Sequence, residues 1–350
     1  AVLWGTSIAQ YIAGTALVFW LGSVFFGRNA LTIGSVYLIF HYAEMMRHPM
    51  EQIRAQMEDF QKAGAGIARV EELFERKSAL PTAGQATLPG GALSVEFDDV
   101  TFAYRDRAPD GNGKGNGKSG ERVLHGISFS IGAGRVVGVL GRSGSGKTTL
   151  ARLLTRLYDP DDGAVQIGGV AAAYADVHAL RRSVGMVTQD VQLFQASIRD
   201  NLTFFDETID DARLHEVLDE LGLRPWLDSL PDGLDTTLEA GGGGLSAGQA
   251  QLLAFTRIFL EDAGLVILDE ASSRLDPATE TLIERTVGRL LENRTGFIIA
   301  HRLATVTRAD DILILEDGAV VEFGERSALV ADPNSRFSRL LATGMEEVLA

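Results

Sequence analysis

Eight consecutive residues, Gly141-Arg142-Ser143-Gly144-Ser145-Gly146-Lys147-Thr148, follow the spacing GxxxxGK[ST] in full. In such a run the glycines let successive backbone N–H groups turn toward one centre, which a lysine and a hydroxyl then close. That is an arrangement for holding a phosphate chain. Lys147 is expected to neutralise the β- and γ-phosphates of a nucleotide and Thr148 to offer its hydroxyl to Mg²⁺, with Thr149 beside them in the nucleotide-binding set. A second chemical feature is Asp269-Glu270, directly after the apolar run Leu265-Val266-Ile267-Leu268. A carboxylate at the tip of a buried strand beside a phosphate loop can hold Mg²⁺ through water, which suits Asp269. Glu270, one residue on, stands where it can accept a proton from an attacking water. An isolated acidic pair after a strand reads as solvated charge; downstream of a complete phosphate loop it reads as catalytic.

These groups need rigid elements to hold them. Val136 to Leu140 is a buried strand directly before the phosphate loop, and a helix through Leu153 follows it, so the loop's N–H groups fall at a helix N-terminus with its positive dipole end. Short apolar runs recur at Val184 to Val187, Leu265 to Leu268, Phe297 to Ala300 and Ile312 to Leu315, alternating with helical stretches. That rhythm predicts an α/β layer with a largely parallel sheet. Leu93 to Phe97 and Val100 to Tyr104 alternate like strands. A second lysine-containing run, Gly111 to Gly120, lacks a glycine five positions before either GK pair and has no buried strand ahead of it, so it reads as a flexible loop.

The first quarter of the chain has another character. Ala1 to Phe26 contains no charged residue, longer than the roughly 20 apolar residues that span a hydrocarbon core. After Arg28 and Asn29, a second apolar stretch, Ala30 to Ala43, completes a helical hairpin. Arg47, Arg54 and Lys62 then put its far end in the cytoplasm. A buried helix pair in a soluble protein is the alternative. Apolar residues at helical spacing from Ile53 to Phe74 extend the second helix, and Ser78 to Gly91 reads as a linker. The boundaries expected are therefore 1–76, a linker at 77–91, and 92–350. A net charge of −15 over 350 residues argues against nucleic acid as a partner, and the absence of cysteine excludes disulfides and thiolate chemistry. The start at Ala1, without a signal-peptide pattern, reads as a fragment or an incomplete gene product.

Taken together the residues resemble the ATP-binding cassette family, in the exporter half-transporter form. Leu245-Ser246-Ala247-Gly248-Gln249 is similar to its LSGGQ signature and opens a helix over Gln251 to Leu260. The resemblance implies that Ser246 and Gly248, with Gln249, contact the γ-phosphate of ATP held by the opposite subunit. It implies that Tyr104 stacks on adenine, and that Gln189 senses Mg²⁺ and the attacking water. Ser273-Arg274-Leu275-Asp276 resembles the loop crossing the dimer interface, which puts Asp276 in the nucleotide site. His301, in IIAHRL, resembles the histidine that holds the catalytic geometry. The fold implied is an α/β P-loop NTPase cassette with a helical signature subdomain, preceded by an α-helical transmembrane hairpin. The implied cofactors are ATP and Mg²⁺, the partner a second half-transporter, and the location a plasma or inner membrane with the cassette in the cytoplasm. The ALTIGS stretch from Ala30 and a break at Pro49 resemble the last two of six membrane helices, so four more would precede Ala1. The cargo is not legible.

Three departures from the family pattern bear on function. Ala247 adds a methyl where the signature has glycine, Gly241 to Gly244 stand where exporters often carry an acidic residue, and Arg105 to Gly120 insert directly after Tyr104. Two other readings belong to different classes. One is a soluble ATPase of the same family acting on chromosomes or ribosomes, which the uncharged run Ala1 to Phe26 opposes. The other is a degenerate regulatory cassette, which Glu270 and His301 oppose.

Overall fold

The structure is a computed structural model that describes residues 2–28, 30–75, 80, 84–104, 121–188, 191–239, 245–269, 277–300 and 306–343. The chain falls into two compact units, residues 1–79 and 80–350.

The first unit is a helical pair, α1 (Val2–Gly27) and α2 (Ile33–Glu75). The Thr32 hydroxyl accepts the Ser35 N–H at 3.2 Å, satisfying one of the donors that the start of α2 leaves unpaired. The helices meet at Gly22, where a Cβ would run into the Val36 side chain, and at Phe19 and Phe40, whose ring centres lie 5.0 Å apart. The break expected at Pro49 does not occur: α2 continues through it as one helix of 43 residues. A proline inside a helix removes one N–H bond and kinks or strains the turn, and here the flanking turns keep the helix continuous. Among the described residues no helix is long and apolar enough to cross a membrane. Large apolar side chains nevertheless stand exposed along both helices, among them Trp20, Tyr37, Phe60 and Phe74.

The second unit is built on a six-stranded sheet in the order β10-β9-β3-β8-β7-β6. The strands are β3 (Val136–Gly141), β6 (Val184–Val187), β7 (Leu265–Asp269), β8 (Thr295–Ile299), β9 (Asp311–Glu316) and β10 (Ala319–Glu325). All neighbours are parallel except β9 and β10, which are antiparallel. Both faces of the sheet are buried, and alternate residues feed two separate cores. Val136, Leu140, Val266 and Leu268 join one with the helices, while Val137, Val139, Leu265 and Ile267 join the other. This is why these strands read as continuous apolar runs.

The second core is closed by a four-stranded antiparallel sheet, β2-β1-β4-β5, made of β1 (Val95–Ala103), β2 (Arg122–Ile131), β4 (Asp162–Ile167) and β5 (Val170–Ala171). The two short strands expected at Leu93 to Phe97 and Val100 to Tyr104 are one strand. Its register slips between Phe97 and Val100, where Asp99 takes a left-handed conformation, so the polar pair Asp98-Asp99 marks a bulge and not a turn. Ala86 bridges to Ala175 and Leu88 packs on this core, so part of the linker segment is built into the second unit.

On the other face lies a helical layer: α5 (Ile198–Thr203), α6 (Asp211–Glu220), α7 (Arg224–Asp228) and α8 (Ala247–Glu261), in chain order after α3 (Lys147–Leu154) and α4 (Val177–Ser183). Its hub is Asn201, fully buried, whose side chain bonds Phe194 through both its N–H and its carbonyl and also reaches the carbonyls of Ala196 and Ser197. Arg257 of α8 donates to the Asn201 carbonyl at 2.6 Å, to its side-chain oxygen at 3.2 Å and to the Gln192 carbonyl at 3.1 Å. Burial pulls the Arg257 guanidinium down to about 10, with Glu261 opposing the shift, so it stays charged at neutral pH. Through it α8 is tied to the segment directly after residues 189 and 190.

Candidate functional site

The phosphate loop leaves β3 at Gly141 and enters α3 at Lys147, as the spacing requires. Two glycines cannot be replaced. Gly146 adopts φ 108°, and a Cβ there would lie 2.7 Å from Leu124; a Cβ on Gly141 would collide with the Leu315 carbonyl and the Ser145 hydroxyl. Because Gly146 is also the N-cap of α3, no side chain caps the helix, and its first N–H groups are left for an incoming anion. Lys147 is only 5% exposed and donates from Nζ to the Gly141 carbonyl at 2.6 Å and the Arg142 carbonyl at 2.9 Å. Its charge is thus held at the mouth of the loop.

A cavity of about 450 Å³ opens over this cradle. It is lined from Ser143 and Gly144 through Gly146, Lys147, Thr148 and Thr149 to Tyr104 at one side and Asp269 at another. Asp269 ends β7, two strands from β3 across β8, so strand order carries the second chemical feature to the first. Thr148 and Asp269 supply hard oxygen donors, the chemistry that Mg²⁺ takes together with phosphate oxygens. Lys147 and the uncapped first N–H groups of α3 supply the positive charge and donors that phosphate oxygens take. These residues therefore fit a nucleotide with its metal. Tyr104 reaches the cavity from the end of β1, with its ring edge-on to Phe102 and Tyr158.

Ser246, Gly248 and Gln249 do not line that cavity among the described residues. They form the start of α8, where Ser246 and Gln249 make a reciprocal capping box: the Ser246 hydroxyl oxygen accepts the Gln249 N–H at 3.2 Å and Gln249 Oε1 accepts the Ser246 N–H at 2.8 Å. As an acceptor in the cap, Ser246 keeps its own proton to donate. Ala247 stands exposed in the first helical turn, where an alanine favours the helix that glycine would loosen. Ser246→Ala is expected to lower stability by about 1 kcal/mol, read as a drop in melting temperature, with Ser246→Asn restoring most of it.

Gln189, Glu270, Asp276 and His301 lie outside the described residues, as do Arg105 to Gly120 and Gly241 to Gly244. Two cavity-lining residues were not singled out from the sequence, Val123 and Arg152. Arg152 had a readable signal: it lies three residues after Thr149, on the same face of α3.

Residues 124–273 match the family described as "ABC transporter". The chain is 33% identical over 311 residues to the uncharacterized ABC transporter ATP-binding protein YfiC of Bacillus subtilis, covering 89% of this chain and 49% of that protein. It is 35% identical over 325 residues to the ATP-dependent lipid A-core flippase of Burkholderia orbicola, covering 92% and 52%. It is 33% identical over 324 residues to the alpha-hemolysin translocation ATP-binding protein HlyB of Proteus vulgaris, covering 92% and 44%. A bacterial Atm1-family ABC exporter solved with ATP bound superposes with a TM-score of 0.70 at 28% identity, over 98% of this chain and 59% of that one. The chain spans about half the length, or less, of the curated relatives it matches.

Proposed function

We propose that the chain carries the ATP-binding domain of an ABC transporter and that it binds and hydrolyses ATP as part of an exporter half-transporter. The observation that carries this reading is the division of the site. One cavity gathers Lys147, Thr148, Asp269 and Tyr104, while the signature at the head of α8 stands apart from it. A site that uses both must draw the signature from a second copy or a related half.

In the proposed cycle, Gly141 to Thr149 and Tyr104 hold the nucleotide, with Lys147 neutralising its terminal phosphates. Thr148, Gln189 and Asp269 would hold Mg²⁺, which would supply charge neutralisation for the terminal phosphates. Glu270 takes the proton of the attacking water, Gln189 and His301 keep that water and the γ-phosphate in line, and Asp276 lies at the contact between the two halves. Ser246, Gly248 and Gln249 of the facing chain close the site, and closure moves the membrane helices.

Residues 1–76 are proposed as a membrane hairpin with a cytoplasmic extension, 77–91 as the linker and 92–350 as the nucleotide-binding domain. The uncharged run Val2 to Phe26 and the exposed apolar side chains of α1 and α2 support this, since apolar surface of that extent calls for lipid or protein cover. The relatives' names, a flippase and a translocation protein, favour transport across a membrane; the plasma or inner membrane, with the cassette in the cytoplasm, is the location proposed. The cargo stays open. The test is ATPase activity of the purified chain in detergent: Mg²⁺-dependent turnover whose rate per chain rises with protein concentration is expected. Turnover per chain that is independent of concentration would remove the shared site, and no turnover would remove the enzyme.

A further inference from the structure

Tyr104 directly follows β1, whereas the phosphate cradle belongs to β3 and α3. Its hydroxyl is nevertheless held from α3 on two sides. Thr149 Oγ1 lies 3.0 Å from it, and Arg152 donates to it from Nη1 at 3.1 Å, with the guanidinium carbon 5.6 Å from the ring centre. Phe102 and Tyr158 stand edge-on to the ring, with centres 4.9 and 5.2 Å away. The ring is therefore held both by aromatic contacts and by its hydroxyl, and the polar contacts come from the same short helix that starts at Lys147.

We propose that the Thr149–Tyr104–Arg152 contact is a tie that fixes the aromatic base platform at a set place relative to the phosphate loop, with Arg152 a positioning residue acting through Tyr104. The proposal rests on the nucleotide reading above and deepens it. Stacking on an aromatic ring tolerates many base orientations, and ordering a mobile ring at binding costs affinity. A ring already anchored to α3 avoids that cost, so that base and triphosphate are recognised by one rigid body. The gain applies only to ligands that have a base. Inorganic tripolyphosphate, which uses the cradle alone, should not sense the tie.

The test is equilibrium binding of ATP and of tripolyphosphate, each with Mg²⁺, to the full chain and to Tyr104→Phe, Arg152→Ala and the double variant. Tyr104→Phe keeps the stacking face and removes only the hydroxyl. Loss of the tie is expected to weaken ATP binding about fivefold, the size of one net hydrogen bond. Tripolyphosphate binding should be unchanged in all three variants, which also serves as the check on folding. The double variant should match Tyr104→Phe alone, since Arg152 acts only through the hydroxyl that Tyr104→Phe already removes. Equal losses for ATP and tripolyphosphate in Arg152→Ala would make the guanidinium a phosphate contact and overturn the tie, as would additive losses or no loss. If the unaltered chain binds neither ligand, the nucleotide reading itself fails; if it binds both and the variants do not discriminate, only the tie fails.

Discussion

Lys147→Ala is expected to weaken Mg²⁺-ATP binding by about 10- to 150-fold, corresponding to about 1.5 to 3 kcal/mol for a buried charge-assisted contact. Hydrolysis should fall at least in proportion. The side chain is almost completely enclosed, and its ammonium joins the two carbonyls at the entrance of the loop. Truncation removes the positive charge that faces the phosphates and also the bonds that hold Gly141 and Arg142 in their turn. Lys147→Arg should rescue little, because a planar fork does not fit a space shaped for a compact ammonium. The measurement is a nucleotide titration together with a thermal melt without nucleotide. ATP affinity equal to that of the unaltered chain would show that the loop does not hold the triphosphate.

The second large effect is expected at Glu270. Glu270→Gln keeps the size and hydrogen-bonding reach of the side chain but cannot take a proton, so kcat should fall by about 100- to 10,000-fold, the usual contribution of a general base. ATP affinity should be kept. With binding intact and turnover lost, two chains should stay closed on ATP, visible as an ATP-dependent shift to a larger species in size-exclusion chromatography. Hydrolysis at the unaltered rate would take Glu270 out of the base role while leaving the Lys147 result untouched, so the two variants separate holding the phosphates from cleaving them.

Both predictions rest on positions legible before any fold is known, and the reason is local. A phosphate loop needs glycines where a Cβ would collide, a lysine and a hydroxyl at fixed spacing, and a strand and helix on either side, all within about 20 residues of sequence. The capping box at Ser246 and Gln249 is local in the same sense, since an N-cap and its third helical residue are three apart. The parallel strands were readable because burial on both faces makes them uniformly apolar.

Other features were out of reach of such reasoning. The strand from Val95 to Ala103 looked like two, because a bulge interrupts alternation just as a turn does. Pro49 looked like a break within the second helix, because the intrinsic penalty of proline is visible in sequence and the continuity of the flanking turns is not. Nothing in the sequence marks Asn201, which holds the segment from Phe194 to Ser197 and receives Arg257 from α8, 56 residues away.

The sequence alone thus determined the chemistry of the phosphate cradle and the class of the fold, because spacing within one turn and the period of apolar residues are local quantities. Tertiary structure decided which distant residues share the cavity. It set Asp269 beside the loop by strand order, and it tied the Tyr104 hydroxyl to Thr149 and Arg152 across 45 and 48 residues of chain. Contacts of that range depend on how sheets and helices pack, and no spacing rule along the chain encodes them.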